Sequence, residues 1–273
     1  MTVRLPIRRL PGRPLVLGLV AAALLAAGCS STPSNERVET QADRLYREAR
    51  DDIAAGGYDR AIKLLERVEG LAAGTLLAQQ AQLDLAFTQW RSGERAPALA
   101  TIERFIKLNP SSPALDYAMY LRGLINFNDS LGFLGSLAGQ KLSERDQRAA
   151  RDSWQAFKQL ADQFPASPYT PDARLRMAFI VNSLAEYEVN VARYYYRRGA
   201  YVAAANRAQQ AVAEFPSAPA TEEALYLMVT SYDRLQLVPL RDAAERVLRA
   251  NFPDSEFLRS GLAAGDRPWW KFW

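Results

Sequence analysis

The 273-residue chain contains no histidine and one cysteine, Cys29. Intrachain disulfides, Cys/His metal sites and Ser-His or Cys-His nucleophile pairs therefore lack their side chains. Carboxylate chemistry is not excluded by this count, but adjacent acids such as Asp51 and Asp52 point about 100° apart on a helix and cannot converge on one atom. A long apolar run is missing too. The longest, Leu15 to Ala27, has 13 residues, and a membrane-crossing helix needs about 20. A net charge is the third absence. Residues 1–28 hold four of the 34 basic residues and none of the 30 acidic ones, so the chain after them carries 30 of each and lacks the electrostatic footprint of a nucleic-acid binder.

What is present begins with export chemistry. Arg4, Arg8, Arg9 and Arg13 precede the apolar run, in the charged-then-apolar order of a signal peptide. The run closes with Leu25-Ala26-Ala27-Gly28-Cys29, which resembles the lipobox of bacterial lipoproteins, although Ala26 stands where that motif usually has Leu. The resemblance implies cleavage after Gly28 and acylation of Cys29, and two or more acyl chains hold a protein firmly to a bilayer. Ser30 rather than Asp follows the cysteine, which implies sorting to the outer membrane with the body on the periplasmic face. Residues 29–40 read as the acylated start and a flexible tether of Ser, Thr, Pro, Asn and Glu.

From Gln41 the character changes. Apolar residues recur at helical spacing, as in Leu83, Ala86, Phe87 and Trp90 or Ile102, Phe105 and Ile106, and strand-like alternation is absent, so the fold expected is all-α. Four segments punctuate it: Leu108-Asn109-Pro110-Ser111-Ser112-Pro113, Phe164-Pro165-Ala166-Ser167-Pro168, Phe215-Pro216-Ser217-Ala218-Pro219 and Phe252-Pro253-Asp254-Ser255. Proline stops one helix, while Ser, Thr or Asp can accept bonds from the first amides of the next. Thr170-Pro171-Asp172 reads as such a start, with Thr170 as the N-cap.

Gly93 precedes Pro110 by 17 residues, Gly199 precedes Pro216 by 17, and Gly57 and Gly93 are 36 apart. This pattern resembles the tetratricopeptide repeat, a helix-turn-helix unit of about 34 residues. Ala61, Ala98, Ala204 and Ala211 fall where paired helices cross. The proline spacings of 55, 51 and 37 residues place an insertion around Asn126 to Arg148, between helices Asp116–Leu124 and Ala149–Ala161, and a long first helix over Asp172–Arg198. About five helix-turn-helix units are expected over residues 41–258, stacked as a superhelix whose groove is lined by first helices. Counting along the repeats places Arg44, Arg47, Gln80, Phe87 and Trp90 toward that groove, with ordinary inter-helix packing the alternative for Phe87 and Trp90.

The run from Leu108-Asn109-Pro110 to Met119-Tyr120-Leu121-Arg122-Gly123-Leu124 resembles the BamD family, lipoproteins of the outer-membrane β-barrel assembly (Bam) machinery. Lys63-Leu64-Leu65-Glu66, Gln82-Leu83-Asp84-Leu85, Tyr187-Glu188 and Arg198-Gly199-Ala200-Tyr201 through Asn206-Arg207 strengthen the match. The resemblance implies a binding scaffold with neither cofactor nor reaction. Its N-terminal repeats would face unfolded outer-membrane proteins, and its C-terminal repeats would dock the periplasmic domain of BamA, with the lipoprotein BamC along the surface. Arg207 matches the family arginine that contacts BamA, and Tyr194, Tyr195, Tyr196, Arg197 and Arg198 are further interface candidates because aromatic and arginine side chains anchor interfaces. Three consecutive tyrosines span most of a helix circumference, so one or two are expected to be exposed. Replacing Arg207 with Glu is expected to weaken the BamA contact and leave stability unchanged.

Two other readings compete: a tetratricopeptide lipoprotein adaptor that recruits peptidoglycan hydrolases, and a glycan-cleaving enzyme with a lone glutamate acid, for which the repeats leave no catalytic lobe. The tail, residues 259–273, ends in Trp269-Trp270-Lys271-Phe272-Trp273. It reads either as a cap on the last repeat or as an aromatic anchor for a neighbouring subunit or the membrane interface.

Overall fold

The computed structural model describes residues 34–127 and 144–261. The signal-like start, Cys29, most of the insertion and the terminal aromatic cluster lie outside the described residues. Among those described there are eleven helices and no strand: α1 Ser34–Ala54, α2 Tyr58–Leu71, α3 Leu76–Arg91, α4 Arg95–Leu108, α5 Leu115–Asn126, α6 Glu144–Gln163, α7 Thr170–Arg197, α8 Tyr201–Glu214, α9 Thr221–Arg234, α10 Val238–Asn251 and α11 Glu256–Ser260. The first ten fall into five consecutive helix pairs of tetratricopeptide type. No described helix is long and apolar enough to cross a membrane.

The turns show why the pairs recur. In the first pair Gly57 N–H donates to Asp52 C=O and Gly56 N–H to Ile53 C=O; the same two bonds recur at Glu94 and Gly93, Ala200 and Gly199, and Leu237 and Gln236. This is the Schellman arrangement, which needs one left-handed residue after the helix. Gly56, Gly93 and Gly199 supply it with φ of 79°, 89° and 76°, and Gln236 does so without being glycine, at φ 57°. The turn glycine of the first pair is thus Gly56, not Gly57. Gln236 also precedes Pro253 by 17 residues, so the fifth pair keeps the turn-to-stop spacing with no glycine to mark it.

Helix starts depart from expectation in two places. Thr170 does not cap α7; Tyr169 is the N-cap, and the Thr170 hydroxyl donates 2.7 Å back to Phe164 C=O. Thr221 does the same to Phe215 C=O at 2.7 Å. In both, the threonine satisfies a carbonyl left over at the end of the preceding helix. The serines do part of the expected work: Ser112 and Ser167 accept from the amides of Ala114 and Tyr169 at 3.4 and 3.2 Å. The other departure is α1, which begins at Ser34, inside the stretch read as tether.

The chain divides into two units between Leu85 and Ala86, inside α3. In the first, α1 and α2 pack with the start of α3 around Ala49, Ile62, Leu64, Leu65, Val68, Ala81 and Leu85. In the second, α5, α6 and α7 share a core of Met119, Phe157, Leu160, Ile180 and Leu184, while α7, α8 and α9 meet over Val189, Ala192, Ala208, Ala211, Ala224 and Leu227. The small residues expected at crossings, Ala61, Ala98, Ala204 and Ala211, are all buried. The long first helix is α7, 28 residues, about 42 Å at 1.5 Å per residue. The helices flanking the insertion, α5 and α6, run to Asn126 and from Glu144, wider than the Asp116–Leu124 and Ala149–Ala161 expected.

Candidate functional site

In the first unit, Arg44, Arg47 and Gln80 of the expected groove are exposed, as partner-facing side chains must be. Gln80 reaches Asp84 Oδ1 at 3.4 Å. Asp84 itself was not singled out as a site residue, yet it gathers three side chains: Tyr46 donates to its Oδ2 at 2.6 Å and Arg50 approaches that atom at 3.3 Å. Burial, then the hydrogen bond and charge of Asp84, push the Tyr46 hydroxyl up to about 12. The neighbouring Asp84 carboxylate also holds Arg50 above its ordinary value. The signal for this cluster in the sequence was an aspartate inside an otherwise apolar helical run.

In the second unit, Phe87 and Trp90 are half-buried and meet edge to face with centroids 5.9 Å apart; the Arg91 guanidinium lies 6.0 Å from the Phe87 ring. They therefore pack on one another while keeping an exposed side.

The interface candidates divide. Tyr194 is 53% exposed and carries the Arg198 guanidinium 5.5 Å above its ring, while Arg197 and Arg198 are exposed. Tyr196 instead packs against the α7–α8–α9 core and sits edge to face on Tyr201 at 5.4 Å. Its hydroxyl also holds the neighbouring Arg234 guanidinium above its ordinary value. Arg207 is not a simple solvated arginine. Its Nη1 lies 3.1 Å from Oε2 of Glu188, with side chains 42% and 4% exposed respectively, so part of its charge neutralises a buried carboxylate. Stability cannot be indifferent to its reversal.

Polar ties also join first helices of neighbouring pairs. Tyr120 on α5 donates to Asp172 Oδ2 at 2.6 Å, and Arg176 on α7 donates to the same atom at 2.6 Å. Burial alone would raise the Asp172 carboxyl, but these two donors hold it below its ordinary value. Arg193 on α7 clasps Glu223 on α9 bidentately at 2.6 and 2.5 Å. A polar concavity of about 760 Å³ lies over α4, α5 and α6, with Glu103, Arg122, Asp152 and Gln159 in its lining. Arg122 donates to Gln159 Oε1 at 2.6 Å, and burial pulls its guanidinium below the ordinary value against the pull of Glu103. No group of three or more His, Cys, Asp or Glu that could hold a metal ion occurs among the described residues. Exposed Tyr194, Arg197 and Arg198 are of residue types that anchor protein interfaces.

Comparison with known proteins assigns the scaffold. The profile of YfiO, a family described as outer membrane lipoprotein, matches residues 38–248. Outer membrane protein assembly factor BamD of Neisseria meningitidis serogroup B is 41% identical over 257 residues, covering 94% of this chain and 96% of that protein. The factor of the same name from Vibrio cholerae serotype O1 is 33% identical, over 86% of this chain and 96% of its own length. Among solved structures, a thermophilic tetratricopeptide protein of Thermus thermophilus aligns over 82% of this chain and 97% of its own at 17% identity, with a TM-score of 0.38, too loose a fit to argue from. With more than three quarters of its residues matched to one profile and 41% identity to a relative covered almost end to end, the chain belongs to the BamD family of outer membrane protein assembly factors.

Proposed function

We propose that this chain is a non-catalytic lipoprotein scaffold of the β-barrel assembly complex, held at the periplasmic face of the outer membrane by acyl chains on Cys29 after cleavage of residues 1–28. It binds the periplasmic domain of BamA through its C-terminal pairs and unfolded outer-membrane proteins through its N-terminal pairs, with BamC as a further partner, and it takes no cofactor and binds no nucleic acid. The observation that carries this reading is the identity to assembly factors over 94% of the chain. The positions of the candidate residues support it. Arg207, Arg197, Arg198 and Tyr194 stand at the surface of the α7–α8 pair, and Tyr196 backs them from the core. An arginine fork suits pairing with a partner carboxylate. Arg44, Arg47 and Gln80 give the first unit a basic and polar surface for substrate, and Phe87 and Trp90 give the second an aromatic one.

Depletion in the native cell tests the reading. Outer-membrane barrel proteins are expected to fall together, and membrane-extracted chain is expected to bring down BamA. A cell-wall defect with normal barrel levels would instead establish the hydrolase-adaptor role and overturn this one.

A further inference from the structure

The concavity of about 760 Å³ over α4, α5 and α6 is not the groove expected for substrate, which first helices line: α4 and α6 are second helices of their pairs. Its lining holds three bases and three acids, but the bases are not equally engaged. Arg151 pairs with Glu214 at 2.9 Å and Lys158 with Asp162 at 2.6 Å. Arg122, half-buried on α5, instead donates to the neutral Gln159 Oε1 at 2.6 Å. Glu103 of α4 acts on it through charge alone, and burial is the larger influence, so the guanidinium is incompletely compensated where it sits. One turn further along α5, Asn126 adds a second donor group to the same lining. Arg95 occupies its Oδ1 at 3.3 Å, which leaves the amide nitrogen to donate. Guanidinium and amide together offer the paired donors that a carboxylate takes.

The α6 wall repeats one side chain. Gln155, Gln159 and Gln163 all line the concavity at four-residue intervals, about 6 Å apart along the helix axis. Alternate residues of an extended chain repeat at about 6.6 Å, close enough for flexible amides to follow. Each glutamine carries both donors and an acceptor, and Gln155 and Gln163 are exposed. We infer that the concavity binds an extended segment of a partner protein, seating one Asp or Glu side chain on Arg122 and Asn126 and backbone amides on the glutamine row of α6. Charge favours a peptide over an anionic membrane surface. Many phosphates together would meet Glu103, Asp152 and Asp162, whereas a lone carboxylate in a neutral segment meets Arg122, whose hydrogen bond goes to a neutral amide.

The test uses the full acylated chain in detergent, without partners, so its outcome is independent of the assembly role. Two pools of end-blocked nonapeptides serve as probes, identical except for a central Glu or Gln, with uncharged residues elsewhere. The wild type is expected to retain the Glu pool several-fold better than the Gln pool, and Arg122→Gln to abolish that preference. The double variant Gln155→Ala/Gln163→Ala, at exposed positions, is expected to weaken retention of both pools several-fold. The double variant Arg44→Glu/Arg47→Glu, on the substrate surface of the first unit, is expected to keep the preference. Equal retention of the two pools, or none, overturns the inference, as does retention unchanged in the glutamine variant. A preference that survives Arg122→Gln in folded protein, or that vanishes in Arg44→Glu/Arg47→Glu, overturns it by placing the acidic site elsewhere. Glycerol phosphate is offered in parallel by equilibrium dialysis; binding of it that depends on Arg122, without peptide preference, would make a lipid headgroup the occupant.

Discussion

Arg207 Nη1 lies 3.1 Å from Oε2 of Glu188, a carboxylate only 4% exposed, while the arginine side chain remains 42% exposed. One guanidinium thus serves a buried charge on α7 and presents an edge to the surface. As the proposed BamA contact, an arginine held in this way would be pre-oriented, so less side-chain entropy would be lost when a partner arrives.

Arg207→Glu is accordingly expected to do two things. It should weaken co-purification with BamA, and it should destabilise the fold by about 2 kcal/mol, less than the roughly 3–5 kcal/mol for breaking a fully buried pair because Arg207 is half-exposed. Adding Glu188→Gln should recover most of the melting temperature but not the BamA contact. Thermal melts and pull-downs on the single and double variants read the two effects separately. A single variant that melts like the wild type would remove the ion pair from the stability argument.

Gly123 faces the ring of Phe157 so closely that an added Cβ would collide with Cε1 and Cδ1. Phe157 is fully buried in the α5–α6–α7 core and cannot withdraw without opening a gap. Gly123→Ala is therefore expected to cost about 1–3 kcal/mol by overpacking, despite alanine's better helix propensity. Phe157→Leu, which shortens the facing side chain, should make the same glycine substitution nearly neutral. Denaturant midpoints for the two singles and the double decide it; an equal loss in both backgrounds would mean the two residues do not press on each other.

Much of the scaffold was legible because its punctuation is local. Proline stops, the glycine turns at Gly93 and Gly199, and alanine at crossings act through a few neighbouring backbone groups, so residue type and spacing suffice to place five pairs and the long α7. Side-chain partners were not legible. Tyr46 and Asp84 are 38 positions apart, Arg193 and Glu223 are 30, and Arg207 and Glu188 are 19, and each pairing is set by how helices stack. Thr170 misled for a related reason: its hydroxyl can cap forward or close the previous helix backward, and both leave the same residue at the same position. The groove residues were placed by repeat counting alone, which gives a helix face but not the companion, as Gln80 and Asp84 show.

Cys29 is expected to be the acylated first residue of the mature chain, on the charged start, the short apolar run and the small residues before the thiol. Metabolic labelling with a fatty-acid analogue should mark the wild type and leave Cys29→Ala unmarked. Equal label in both would place the anchor elsewhere.

The Tyr46 hydroxyl, pushed up to about 12 by burial and by Asp84, makes stability depend on alkaline pH. A raised folded value means the neutral hydroxyl is favoured in the folded state. Its contribution is then complete below the ordinary value of about 10 and is lost as pH rises from there toward 12. Tyr46→Phe should lower stability at neutral pH and flatten the decline above pH 10 relative to the wild type. Parallel decline of the two chains would show that Tyr46 is not the group responsible.

The equivalent turns at Gly199 and Gln236 allow a test with opposite signs. Both residues close a Schellman turn in the left-handed region, at φ 76° and 57°, where a side chain is strained and glycine is not. Gly199→Ala should therefore cost about 1 kcal/mol, although no atom lies within 4 Å of the added Cβ, because the penalty is in the backbone and not in packing. Gln236→Gly should relieve the same strain. Against that relief stand a more flexible unfolded chain and the loss of the 3.2 Å bond from Gln236 Nε2 to Asp233 C=O, an exposed contact of small net value. A net gain of a few tenths of a kcal/mol up to about 1 is expected. If both substitutions destabilise equally, left-handed strain is not what distinguishes the fifth turn, and the side-chain bond of Gln236 is the stronger effect.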